Sequence, residues 1–428
     1  MTAQALNLRQ RRGACPGLSA PMPTGDGLLV RLMPLGTIPL AAFSTLCAAA
    51  RRHGNGVIEV TARGSIQVRG LNATSAPRFA AAVAALGIAA EDGIPVHNCP
   101  LSGLDPEEIL DASALAADLR RALAQTSLAA RLAPKVSVAI DGGGRLNLDE
   151  LAADVRLRAE TINHGAAFRV GVGGDAARAT QLGVVATNDG VATAMRLLQV
   201  IVQRSRDARA RDILAAEGAE PFRSVLTDLL IGNASLPIAR RCGNAIGLQA
   251  LRDGSLAHGL GLAVGHSDAV ALERLTEAGG TAGAIGLRAA PGRVLMIVGL
   301  APEMSSSFLA AAERLGFIVR ADDPRRHVVA CAGAPICSSA HIAARALAPA
   351  IAQASAPHLG RSFAIHISGC AKGCAHPAPA ALTVVGTPSG CALIADGSTR
   401  DVPYALVPAD ELATAIANLT REREASHV

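Results

Sequence analysis

The sequence Cys331-Ala-Gly-Ala-Pro-Ile-Cys337, followed after a helical stretch and a strand by Ser368-Gly-Cys370-Ala-Lys-Gly-Cys374, holds four of the nine cysteines of this 428-residue chain within 44 residues. The spacings are C-x5-C and C-x3-C. Thiolates paired in this way can converge on one soft metal centre, and four cysteines are the usual ligand set of an iron–sulfur cluster. Gly333, Pro335, Gly369 and Gly373 keep both loops free of bulk, so the backbone can bend around a cuboidal cluster and turn N–H groups toward its sulfides. A structural zinc site favours a C-x2-C knuckle in at least one pair, and four packed thiols are the plainest alternative. The reading adopted is one 4Fe-4S cluster on Cys331, Cys337, Cys370 and Cys374.

The segments around this stretch occur twice. Early in the chain, strand-like Leu28-Leu-Val-Arg-Leu precedes a helix with apolar Leu40, Phe43, Leu46 and Cys47 at helical spacing, for which Thr37 is the expected cap. A hairpin follows, Val57-Ile-Glu-Val-Thr-Ala, a turn at Arg63-Gly64-Ser65, then Ile66-Gln-Val-Arg, and a helix near 76–87. That β-α-β-β-α order is half of a ferredoxin-like arrangement. It returns at 256–316, with a strand near Gly261, a helix capped by Ser267 and carrying Val270, Leu272 and Leu275, and a hairpin from Ala284 to Val298. Gly36 and Gly265, like Leu71 and Leu300, lie 229 positions apart. The chain is an internal duplication.

The intervening segments repeat too. Asn98-Cys99-Pro100-Leu101 precedes a helix near 106–124 and the strand Lys135-Val-Ser-Val-Ala-Ile-Asp141, as Cys331–Cys337 precedes a helix near 339–353 and the strand from Phe363 to Cys370. The first copy has one cysteine, with glycines where the second has Cys370 and Cys374. Only the second can assemble four thiolates. The expected domains are 14–90, 95–240, 255–318 and 325–425.

Composition bounds the rest. Half the residues are hydrophobic and 18% are charged, a globular balance, and the net charge is +5. No Lys/Arg-rich run occurs, and one Tyr with seven Phe gives few stacking platforms, which argues against nucleic acid as a partner. No run approaches the roughly 18–20 apolar residues of a membrane span. Cys15, Cys47, Cys99, Cys242 and Cys391 show no disulfide-framework spacing, so a reduced, cytoplasmic protein is expected. No phosphate-loop motif occurs, and Gly171-Val-Gly-Gly and Gly259-Leu-Gly fall short of a dinucleotide fingerprint. Electrons for the cluster are therefore expected from an external donor protein.

The two cysteine loops and the Thr61-x-Arg63 hairpin resemble the nitrite/sulfite reductase family over nearly the whole chain. The resemblance implies an α+β, duplicated architecture in which two ferredoxin-like halves alternate with two larger domains, the second holding the 4Fe-4S cluster. Cys15-Pro-Gly, Thr24-Gly-Asp-Gly, Cys99-Pro-Leu-Ser-Gly-Leu-Asp105 and the Gly369–Pro377 loop are similar to one branch of it. That branch implies an oxygen-dependent monooxygenase of aerobic cobalamin biosynthesis, which hydroxylates the macrocycle precorrin-3A at C20 and closes a γ-lactone. It also implies a mononuclear non-haem iron beside the cluster, with no sirohaem. His97, His164, His266, His341, His366 and His376 are available to such an iron, and no spacing selects among them. Of the two Arg and two Lys that hold a small anion in the reductases, this chain matches Arg63 and Lys135, with Ser137 at a third place and no match near Val96-His97. A macrocycle with eight carboxylates needs scattered cations, so Arg63, Arg69, Lys135, Arg288 and Arg293 are the candidate substrate contacts. The alternatives are a sirohaem reductase of sulfite or nitrite, with sirohaem bridged through Cys374, and a non-enzymatic electron carrier.

Overall fold

The computed structural model describes residues 16–425 apart from 89, 91–92, 234–236, 357–358, 360–363 and 377; Cys15 and Phe363 lie outside the described residues. Four sheets are present among them. Sheet I orders its strands Met22–Thr24, Gly27–Leu32, Ile66–Leu71, Val57–Val60 and His266–Asp268. Sheet III orders Gly247–Ala250, Leu256–Gly261, Val294–Leu300, Gly286–Ala290 and Ile38–Pro39. The architecture is α+β and duplicated.

The last strand of each sheet comes from the other half. His266–Asp268 pairs with Val57–Val60, placing His266 opposite Glu59, and Ile38–Pro39 pairs with Gly286–Ala290. This exchange explains the two helix caps expected from the sequence. Thr37 does not cap its helix, which starts at Leu40 with no side-chain cap; its hydroxyl instead accepts a hydrogen bond from Arg288 Nε at 2.8 Å. Ser267 lies in the borrowed strand, and Asp268 caps Ala269–Thr281 by accepting from the Ala271 N–H. In both copies the residues just ahead of the helix are extended because they close the neighbouring sheet.

Side chains alternate across each strand. From sheet I, Ile58, Val60, Ile66 and Val68 turn inward to join Phe43, Leu46, Leu272, Leu275, Leu287 and Ile297 in one apolar cluster built by both halves. Glu59, Gln67 and Arg69 fall on the opposite face. Helices Leu40–His53 and Ala269–Thr281 meet where Gly279 and Gly280 leave room for Leu40; a Cβ on either would lie 3.8 or 3.7 Å from Leu40 Cδ1. Gly286 is tighter, since a Cβ there would sit 2.4 Å from the Ile38 carbonyl oxygen. Gly286→Ala must push the borrowed strand away, and overpacking of this kind costs about 1–3 kcal/mol. A lowered thermal midpoint is expected; an unchanged one would mean the exchanged strand is loosely held.

Sheets II and IV belong to the larger segments. Sheet II orders Leu230–Gly232, Thr180–Ala186, Gly165–Gly174, Ala153–Ile162, Val138–Asp141 and Val96–Asn98. Sheet IV orders Val328–Ala330, Ile365–Ser368, Ala380–Thr387, Gly390–Gly397 and Ala405–Val407. In each, the first three strands in chain order are parallel and the following pairings antiparallel. The helices begin later than the sequence pattern implies, at Ala112 and Ala344. Ahead of the first, Glu108 is spent accepting from Ser102 Oγ and the Gly103 N–H, so that stretch stays a loop.

Candidate metal centre and cationic cleft

Cys331 follows strand Val328–Ala330 directly, and Cys370 follows Ile365–Ser368, the strand hydrogen-bonded beside it. Parallel pairing thus brings the two cysteine loops to the same end of sheet IV. The Gly369 N–H donates to Cys331 Sγ at 3.0 Å, joining one loop to the other. All four thiols are unpaired. Burial, then the neighbouring Cys331, Cys370 and Cys337, push the Cys374 thiol upward, with Lys372 opposing. Iron is ligated by thiolate and not by thiol, so binding of a metal centre there would release protons. Glycines shape the cradle: a Cβ on Gly369 would meet Ala340 Cβ at 2.7 Å, and Gly333, at φ +67°, would press one against the Ala344 nitrogen at 2.4 Å. The donor set, four thiols on two loops at one end of the sheet, fits an iron–sulfur cluster. A single zinc at ~2.3 Å from each sulfur needs a tighter grouping, and no three His, Cys, Asp or Glu side chains come together for one ion among the described residues. For the same reason the described residues do not gather ligands for a mononuclear iron.

The first copy shows what fills this place without a cluster. Cys99 follows strand Val96–Asn98 as Cys331 follows its own strand, and burial with Asp141 beside it drives its thiol well up. Asp141, 1% exposed, closes the second loop by accepting from the Gly143 and Leu148 N–H groups, both at 2.8 Å. Arg240 then bridges Asp141 and Asp149, at 2.7 Å to each. An ion-pair network holds the loop in this copy.

The five cations picked out by sequence do not gather in one place. Arg63 and Arg288 line one cleft, together with Met33–Gly36, His97, Cys99, Pro100, Arg120 and Pro291. Arg63 is exposed, at the tip of a hairpin bridged to Pro291. Arg288 is mostly buried and partly engaged, its Nη1 donating to the Pro100 and Ser102 carbonyls at 3.1 and 2.9 Å. Burial, and then Arg63 and Arg120, lower His97 to about 4, so it is neutral near pH 7. Arg120 was not legible as a site residue; it lies beside the buried Leu119 on helix Ala112–Ala124 and also donates to the Val96 carbonyl. Lys135 is exposed ahead of its strand and is not among the cleft's lining residues.

Arg69 and Arg293 are placed elsewhere. Arg69 grips Asp26 with two 2.8 Å hydrogen bonds and reaches Glu59 at 3.4 Å. Arg345, from the helix Ala344–Ala354, pairs with the same Glu59 and so ties the cluster-bearing segment to sheet I. Arg293 has φ +65°, and burial lowers its pKa against the pull of Glu59. Glu59 and Arg288 sit 229 residues apart, at equivalent places in the repeat, and each clamps its sheet to a different larger segment.

Comparison with known proteins places this fold among the nitrite and sulfite reductases. Residues 20–86 match the nitrite/sulfite reductase ferredoxin-like half domain, and residues 90–231 match the nitrite and sulphite reductase 4Fe-4S domain. The latter stretch is the copy that holds Cys99 alone. The solved structure of Mycobacterium tuberculosis NirA superposes with a TM-score of 0.72 at 21% identity, covering 92% of this chain and 80% of that one. A ferredoxin–nitrite reductase of Synechococcus elongatus is 24% identical over 83% of this chain and 75% of its own length. Fold and thiol cradle together define an iron–sulfur protein of the nitrite/sulfite reductase architecture. A precorrin-3B synthase of Sinorhizobium is 38% identical over 412 residues, 96% of this chain and 88% of the relative. The chain belongs to the precorrin-3B synthase family and is an enzyme. No helix among the described residues is long and apolar enough to cross a membrane.

Proposed function

We propose that the chain acts in cobalamin biosynthesis as a precorrin-3B synthase, hydroxylating precorrin-3A at C20 with O2 and closing a γ-lactone through the ring A acetate. The observation that carries this reading is the similarity to the Sinorhizobium enzyme along 96% of the chain. The cleft supports it: Arg63, Arg120 and Arg288 present guanidinium groups around a neutral His97, a lining suited to carboxylates of a large anion. The cluster on Cys331, Cys337, Cys370 and Cys374 would supply one-electron transfer, fed by a separate reductase protein. Arg63 binds and orients a substrate carboxylate from the exposed hairpin tip. Arg288 fixes the opposite wall through its bonds to Pro100 and Ser102.

Removing the Arg63 guanidinium forfeits a charge-assisted hydrogen bond of about 1.5–3 kcal/mol, so Arg63→Ala is expected to raise KM for precorrin-3A roughly tenfold to a hundredfold. The absorption of the cluster should not change. An unchanged KM, or sulfite reduction by the parent at enzymatic rates, would overturn the assignment. Strong Soret-type bands in the isolated protein would point to sirohaem and to a reductase instead.

A further inference from the structure

The geometry points to the turn Gly25–Asp26 as a cover over Cys337, held in place by Arg69; this rests on the reading of Cys337 as a cluster ligand. The turn joins strands Met22–Thr24 and Gly27–Leu32 of the N-terminal half, more than 300 residues from the cysteine in sequence. A Cβ on Gly25 would lie 2.3 Å from Cys337 Sγ, so the glycine backbone already rests on the sulfur. The next residue after the cysteine is fastened to the same turn, the Ser338 N–H donating to the Gly25 carbonyl at 3.2 Å. Gly25 is itself exposed and Cys337 only partly so. The turn is therefore the outermost layer between that thiol and solvent.

Its position is fixed from below by Asp26. That carboxylate side chain is 3% exposed and takes both 2.8 Å hydrogen bonds of Arg69, a third from Thr24 Oγ1 at 2.7 Å and a fourth from Asn55 Nδ2 at 3.3 Å. Arg69 in turn leans on Glu59, which Arg345 of the cluster-bearing segment also holds. One chain of ion pairs thus locks the N-terminal turn and the cysteine loops into a single register. Solvent exposure and contacts at the sulfurs set the potential and durability of a cluster. Asp26 and Arg69 are positioning residues that keep water from the Cys337 side.

The test uses the full-length protein isolated anaerobically with its cluster. Gly25→Ala meets a steric conflict with Cys337 alone, mainly with its sulfur, since Gly25 is not among the glycines of positive φ. It is expected to speed bleaching of the cluster in air roughly tenfold or more and to shift its reduction potential. Asp26→Asn, which keeps the shape and weakens the grip of Arg69, should shift both in the same direction by less. Arg51→Ala removes a surface ion pair to Glu273 within the same two halves and serves as the control; its bleaching rate and potential should match the parent. Parent-like bleaching and potential in Gly25→Ala would overturn the cover, as would an equally fast Arg51→Ala. A parent with no iron or sulfide would overturn the cluster reading as well, which separates the two failures.

Discussion

Replacing Cys370 by serine is expected to leave the protein with little of its iron and sulfide, while Cys391→Ser keeps both. Cys370 stands at the end of strand Ile365–Ser368, where the parallel partner delivers Cys331, and the thiols of Cys331, Cys337 and Cys370 all act on Cys374. A serine oxygen is a harder and far more basic ligand than a thiolate and is a poor substitute for it on soft iron–sulfide. Cys391 lies in the same segment but is fully buried in strand Gly390–Gly397, within the apolar cluster. Its exchange for serine perturbs packing and spares the centre. Iron and acid-labile sulfide per chain after anaerobic isolation decide the matter. Full retention of both in Cys370→Ser would remove Cys370 from the ligand set.

A fragment ending at residue 240 is expected to lose the fold of its first ferredoxin-like half. Sheet I would lack His266–Asp268, strand Ile38–Pro39 would have no sheet to join, and helix Leu40–His53 would face water in place of Ala269–Thr281. Each fully buried Leu, Ile or Phe contributes about 1.5–3 kcal/mol. Uncovering only a handful of such side chains therefore equals the whole net stability of a typical domain, about 5–15 kcal/mol. The sheet II segment has its own apolar cluster, with Val155, Leu157, Phe168, Val170 and Ile201, and does not depend on the second half in the same way. Amide exchange distinguishes the parts: protection should vanish in Leu40–His53 and Ile66–Leu71 and persist in Ala153–Ala186. Slow exchange of Leu40–His53 in the fragment would show that the first half stands alone.

The sequence by itself determined the repeat and the metal chemistry. Periodicity and turn residues are local, so the β-α-β-β-α order and the 229-residue offset were legible, and the spacing of Cys331, Cys337, Cys370 and Cys374 marked them as candidate ligands of an iron–sulfur centre. Two things were decided only by the tertiary structure. The exchange of edge strands depends on which sheet edge the other half leaves open, a partner more than 200 residues away, and so Thr37 and Ser267 read as caps when they are extended. The fate of the arginines depends on which carboxylates and carbonyls the fold brings within hydrogen-bonding distance. Arg63 remained at the mouth of the cleft, Arg288 was drawn into its wall by Pro100 and Ser102, and Arg69 was taken by Asp26. A guanidinium reads the same in sequence whether it waits for a substrate or holds a turn, because its nearest anion is chosen by folding and not by spacing.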